Sequence, residues 1–98
     1  MVAFVAELDG RLVGLTHALL HRSTTLETYT CYLQDLYTVG ELRGKGIGRA
    51  LIEAVYAFAK GENCQRVYWQ THETNTTAMK LYDSIAEKTG FVIYRKVL

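Results

Sequence analysis

Hydrophobic and polar positions change period along this chain, and each change marks an element. From Val2 to Glu7 the residues are mostly apolar and β-compatible, and Leu8-Asp9-Gly10-Arg11 carries the Asp-Gly pair that favours a tight hairpin turn. A second strand, about Leu12 to His21, pairs back on the first. Arg22 to Tyr29, with Ser23, Thr24, Thr25 and Thr28, is polar enough to be the loop into a third strand at about Thr30 to Thr38. The period then becomes helical. Ile47, Ala50, Leu51, Ala54, Val55 and Phe58 fall on one stripe while Arg49, Glu53 and Lys60 lie off it, which predicts an amphipathic helix ending near Gly61.

Arg66 to His72 reads as a strand, with Val67, Tyr68 and Trp69 favouring the pleated state. A second helix follows, with Asn75 or a neighbouring threonine as N-cap, a buried stripe of Ala78, Leu81, Tyr82, Ile85 and Ala86, and Gly90 as the residue past its end. Phe91 to Val97 predicts a closing strand. The order β-β-β-α-β-α-β, an antiparallel meander followed by alternating helices and strands, implies a mixed α/β (α+β) sheet whose later strands can run parallel.

Composition narrows the classes. A chain of 98 residues is one domain, residues 1–98, that buries roughly two-thirds of its unfolded surface. Hydrophobic residues make up 49%, and the formal net charge of +1 argues against both a disordered chain and a basic nucleic-acid binder. No stretch has the length of a membrane span, and the first residues lack the basic and apolar regions of an export signal. Cys31 and Cys64 have neither disulfide-framework nor zinc spacing, which predicts reduced core thiols, a cytoplasmic setting and no metal.

The candidate chemistry lies in "ELRGKGIGRALI", Glu41 to Ile52, where Gly44, Gly46 and Gly48 stand at the mouth of the first helix. A Walker A loop is excluded: Gly40 and Gly44 are separated by three residues, and Lys45 is followed by Gly46 rather than by a hydroxyl residue. A dinucleotide fingerprint needs another glycine spacing and a leading βαβ unit. What remains is an anion site made of unpaired helix-start amides, with Arg43, Lys45 and Arg49 around it, or else a glycine-rich turn with solvated cations.

Arg43-x-x-Gly46-x-Gly48 after a strand resembles the Q/R-x-x-G-x-G/A signature of the GNAT superfamily, the acetyl-CoA-dependent N-acetyltransferases. "DLYTVGELRGKGIGRALI" resembles that family's strand-to-helix motif, and "NTTAMKLY" its downstream helix motif. "VYWQTHETNTTAMKLY" is further similar to the branch that includes fungal histone and polyamine acetyltransferases. The resemblance implies an acyl-CoA N-acyltransferase-like fold and acetyl-CoA as co-substrate. The acceptor would be a primary amine, either a small amine or polyamine or a protein lysine.

By resemblance, Arg43, Gly44, Lys45, Gly46, Ile47, Gly48 and Arg49 bind the CoA pyrophosphate, while Thr38 and Val39 offer groups to pantetheine and the thioester. Asn75 matches an asparagine that contacts the cofactor and is also simply a good N-cap. Tyr82 matches a tyrosine that protonates the departing thiolate, and it also sits on the apolar stripe of its helix. Asp35, His72 and Glu73 are candidates for the proton acceptor. The chain has Gly40 where many members have proline, and it begins at what resembles the family's second strand. The elements that usually wall the acceptor side are therefore absent from this sequence, which reads as a fragment, as one half of a homodimer that supplies the wall, or as an open site. The rival reading is a non-catalytic CoA-binding or oligomerisation module.

Overall fold

The computed structural model describes residues 1–98 except Thr25, which belongs to the expected polar loop and lies outside the described residues. The meander forms as the pattern requires. Strands β1 (Val2–Leu8), β2 (Arg11–Arg22) and β3 (Tyr29–Thr38) pair antiparallel in chain order. The hairpin turns on Asp9 and Gly10, whose φ values of 52° and 78° are those of a turn that follows the strands' own twist.

Helix α1 (Ile47–Gly61) crosses one face of the sheet. Its most deeply buried residues are Leu51, Ile52, Val55 and Ala59, the last three packed with Ala18, Cys31 and Leu33. The expected stripe is thus turned slightly about the helix axis: Ala50 is exposed, whereas Ile52 and Ala59 are buried. Each fully buried aliphatic side chain of this kind contributes about 1.5–3 kcal/mol. The helix ends as sequence suggests, although the left-handed residue behind the stop is Asn63 (φ 60°), with Cys64 N–H donating to the Ala59 carbonyl.

Beyond α1 the structure departs from expectation in three places. The strand expected over Arg66 to His72 pairs only at β4 (Val67–Tyr68), parallel to β3 through Cys31 and Tyr32. Helix α2 (Thr76–Ile85) stops at Ala86, so Gly90 does not cap it, and its stripe of Ala78, Leu81, Tyr82 and Ile85 is half-buried with Ala86 exposed. The strand expected over Phe91 to Val97 does not form, and Phe91, Val92, Ile93 and Tyr94 are all exposed. A strand needs a partner for its backbone groups, and propensity alone does not supply one. Cys31 is in the core, but Cys64 is only half-buried at its margin.

Candidate active site

β3 and β4 part after two paired residues. Among the described residues, the outer edge of β3 from Leu33 to Thr38 has no neighbouring strand, and Trp69 to His72 run beyond the end of β4 without joining it. The result is a gap whose near wall is the second half of β3. Val39 N–H donates to the Val13 carbonyl at 3.0 Å, toward β2. By strand alternation, Thr38 and Leu36 turn their N–H and C=O groups the other way, into the gap. Such unpaired edge groups can bond an extended ligand as they would a strand.

Val39, by contrast, has its N–H on Val13 and its carbonyl on the Leu42 N–H, so it offers a ligand chiefly its side chain. A short 3-10 turn, Gly40–Leu42, leads from there to the glycine loop. Gly44 (φ 82°) and Gly46 (φ 84°) are left-handed, and Gly46 is the N-cap of α1. Those conformations present a run of amides outward: from Gly44 to Arg49 no N–H has a backbone acceptor among the described residues, and the first helical bond is Ala50 N–H to Gly46. A helix start with free amides and the positive end of its dipole favours an anion.

The loop's cations are not equivalent. Arg43 and Lys45 are exposed and make no ion pair among the described residues, whereas Arg49 Nε lies 3.1 Å from Glu53 Oε1, one turn along the helix. Arg49 therefore contributes its amide to the loop mouth while its guanidinium is drawn away. Glu41, the acidic residue nearest the loop in sequence, is paired with Arg11 at 2.7 Å. Ile47 and Gly48 are half-buried.

Three elements converge on Gly48. A Cβ there would lie 3.7 Å from Leu81 Cδ2 on α2 and 4.0 Å from Thr38 Oγ1 on β3. The next residue on α2 is Tyr82, whose ring meets Trp69 edge-on with centroids 5.4 Å apart. Burial pushes the Tyr82 phenol above its ordinary value, so it stays protonated across the neutral range. Its hydroxyl has no hydrogen-bond partner among the described residues. Asn75 stands at the N-terminus of α2, yet its side chain does not cap the helix and instead donates Nδ2–H to Thr71 Oγ1 at 3.2 Å.

The proton-acceptor candidates separate clearly. His72 Nδ1 accepts from the Thr74 amide and contacts Thr74 Oγ1 at 2.7 Å, a local turn contact, and Glu73 is exposed. Asp35 sits mid-strand in β3 at φ 60° and faces His17, a residue the sequence pattern alone does not single out. Only the β2–β3 register reveals that pair. No group of metal-ligating side chains occurs among the described residues. A groove of about 460 Å³ runs between β1 and α1 and reaches the glycine loop, lined by Phe4, Val5, Leu8, Lys45, Ile47 and Leu51.

A four-stranded mixed sheet flanked by two helices, opening between β3 and β4, is an acyl-CoA N-acyltransferase-like fold. The chain belongs to the acetyltransferase (GNAT) family, whose sequence profile matches residues 1–86. It is 38% identical to D-amino-acid N-acetyltransferase HPA3 of Saccharomyces cerevisiae, with 97% of this chain and 58% of that protein aligned. Among solved structures, an integron cassette protein from the mobile metagenome of V. cholerae superposes with a TM-score of 0.87 at 29% identity, over 97% of this chain and 60% of the other. AAC(6')-Iy, solved with the bisubstrate analog CoA-S-monomethyl-acetylneamine, superposes with a TM-score of 0.83 at 25% identity, over 98% of this chain and 69% of its own. The chain thus spans a little over half the length of the yeast relative it matches.

Proposed function

We propose that the protein transfers the acetyl group of acetyl-CoA to a primary amine by direct attack. The single observation that carries this is the run of unpaired amides from Gly44 to Arg49 opening onto the unpaired edge of β3. The residues fit the co-substrate. The loop mouth takes the pyrophosphate where no Cβ obstructs it, Thr38 and Leu36 bond the pantetheine arm and the thioester carbonyl, and Asn75 reaches the cofactor from the start of α2. Tyr82 gives its phenolic proton to the departing thiolate. Membership of the family and the CoA-derived bisubstrate analog bound to AAC(6')-Iy support the same reading.

The amine must first lose a proton. For an ordinary primary amine with a pKa of about 10.4 this costs roughly 4–5 kcal/mol at neutral pH, so a group that accepts the proton is part of the requirement. A small amine or polyamine, an amino acid, or an exposed lysine all meet the chemistry. The protein acts as a homodimer in this reading. The exposed apolar segment from Phe91 to Tyr94 is a surface that a second copy covers.

Isothermal titration with acetyl-CoA tests the cofactor half, with saturable binding expected in the micromolar range. A thiol-release assay over a panel of polyamines, D-amino acids, aminoglycosides and lysine peptides then tests transfer. Absence of binding at millimolar acetyl-CoA removes the proposal, and binding without thiol release leaves a CoA-binding module instead. Light scattering at the assay concentration expects twice the chain mass, and a mass equal to one chain removes the dimer.

A further inference from the structure

The sheet has two unlike faces. Gly14, Thr16 and Ala18 of β2 are buried beneath α1, and α2 packs alongside α1 through Leu81 and the hydrogen bond from Tyr56 to the Ile85 carbonyl. Leu15, His17, Leu19 and His21 alternate with them and point to the opposite face. No helix among the described residues covers that side. Among the described residues the β3–β4 gap is thus open on the face that carries His17.

His17 is arranged differently from the other two histidines. His21 has both ring nitrogens engaged, Nδ1 with the Arg22 carbonyl at 3.0 Å and Nε2 with the Tyr68 hydroxyl at 2.6 Å. His72 Nδ1 is held by Thr74. His17 Nδ1 is shut from solvent without a hydrogen-bond partner and lies 3.6 Å from Asp35 Oδ2, while its side chain remains 25% exposed. That exposure therefore lies on side-chain atoms other than Nδ1.

Asp35 reaches it through an irregular backbone. Leu15 pairs with Tyr37 but His17 pairs with Gln34, so β3 carries one extra residue where Asp35 takes its left-handed φ of 60°. Aspartate is one of the few non-glycine residues that take this conformation. Here it brings the carboxylate to His17 one residue before Leu36, whose peptide groups face the gap.

We propose that His17 accepts the proton of the incoming amine, directly or through one water, and that Asp35 is its positioning residue. This rests on the acetyl-transfer reading above. A carboxylate beside Nδ1 favours the tautomer protonated there, which leaves the Nε2 lone pair as the one that can take a proton. The 3.6 Å separation is longer than a hydrogen bond and closes by a small side-chain rotation, as catalytic contacts do when substrate binds. Tyr32 and Tyr68, with ring centroids 4.9 Å apart on the same face, offer aromatic surface to a cationic amine.

The protons balance. His17 takes one from the ammonium. The free amine forms the new N–C bond, the C–S bond breaks, and the thiolate takes a proton from the Tyr82 hydroxyl. The acylated nitrogen gives up its second proton, which restores Tyr82, and His17 releases the first to solvent. The products are the amide, CoA thiol and one proton.

The test compares wild type with His17→Gln, His17→Asn, His17→Ala and Asp35→Asn, in acetyl-CoA titrations and in steady-state transfer to the best amine of the panel. Either His17→Gln or His17→Asn is expected to lower kcat roughly 100-fold, with acetyl-CoA affinity within about twofold of wild type. Asp35→Asn lowers it roughly tenfold through the wrong tautomer. Added imidazole restores turnover to His17→Ala in proportion to its concentration, which a merely structural histidine does not predict. Wild-type transfer with unaltered kcat in both His17→Gln and His17→Asn overturns this proposal and leaves the acetyl-transfer reading standing. Wild type that binds acetyl-CoA yet acetylates no amine overturns both.

Discussion

Gly14 of β2 lies so close to Ile47, the first residue of α1, that a Cβ on Gly14 would sit 2.9 Å from Ile47 Cγ2. The same position meets Leu51 Cδ1 at 3.0 Å and the Tyr37 carbonyl oxygen at 3.2 Å. The bare backbone at Gly14 thus lets the mouth of α1 come down on the sheet beside the end of β3, where the loop and the gap meet. Leu51 Cδ1 is the end of a flexible side chain and can move, whereas Ile47 Cγ2 sits on a stiff β-branched carbon and the carbonyl is backbone. Gly14→Ala is expected to cost about 1–3 kcal/mol in urea unfolding, and Gly14→Val more, as overpacked sites do. Either should also weaken acetyl-CoA binding by lifting the loop. An unchanged midpoint in Gly14→Val removes the close-packing account.

Gly46 and Gly48 separate backbone strain from ligand clearance. A Cβ on Gly46 meets nothing within 4 Å, so the cost of Gly46→Ala is its φ of 84°, of order 1 kcal/mol. Gly48 has no positive φ and sits in the first turn of α1, where a Cβ makes only ordinary contacts. Gly48→Ala should therefore leave stability unchanged or raise it by up to about 1 kcal/mol. It should nevertheless weaken acetyl-CoA binding at least tenfold, because the added methyl stands among the amides that approach the pyrophosphate. Thermal unfolding and calorimetric titration of the two variants check the opposed signs. Wild-type affinity in Gly48→Ala removes the close-approach role of that glycine.

The same glycines mark how far sequence carries. The meander, α1 and the loop are legible because each rests on local chemistry: Asp9-Gly10 in a hairpin turn, and Ile47 through Phe58 at helical spacing. What escapes sequence depends on partners. Phe91 to Val97 has strand composition but no strand beside it, and the β4 pairing stops at Tyr68 although Trp69 favours the pleated state. His17 and Asp35 are eighteen residues apart and meet only because the β2–β3 register slips at the bulge. Likewise Arg49 looks like an anion ligand in the sequence, and its pairing with Glu53 appears only in the folded helix.

The thiols give a pH-dependent check on the core. Burial, with a smaller contribution from Cys64, pushes the Cys31 thiol from 9.0 up to about 11. The folded chain therefore holds a proton that the unfolded chain releases between these values. Stability is unaffected below about pH 9 and falls as pH rises from there toward 11, by an amount of order 2–3 kcal/mol. Cys31→Ala should lose that part of the alkaline slope. At about pH 8.5 iodoacetamide should modify Cys64, which is half-buried, well before Cys31. Equal labelling rates by mass spectrometry would contradict the buried setting.

Tyr82 is the residue whose two readings divide most sharply. As part of the apolar stripe of α2 it packs on Trp69, and phenylalanine fills that place equally well. As a proton donor it needs the hydroxyl, which burial keeps protonated beyond the ordinary tyrosine value of 10.0. Tyr82→Phe is therefore expected to keep its unfolding midpoint and its acetyl-CoA affinity within about twofold while kcat falls roughly 100-fold, the range of one general acid. Any loss of rate from ionisation of Tyr82 should begin only above about pH 10, because the shift is upward. Steady-state kinetics with one amine acceptor from about pH 7 to 10.5 reads both effects. Undiminished kcat in Tyr82→Phe assigns the ring to packing and gives the thiolate's proton to water.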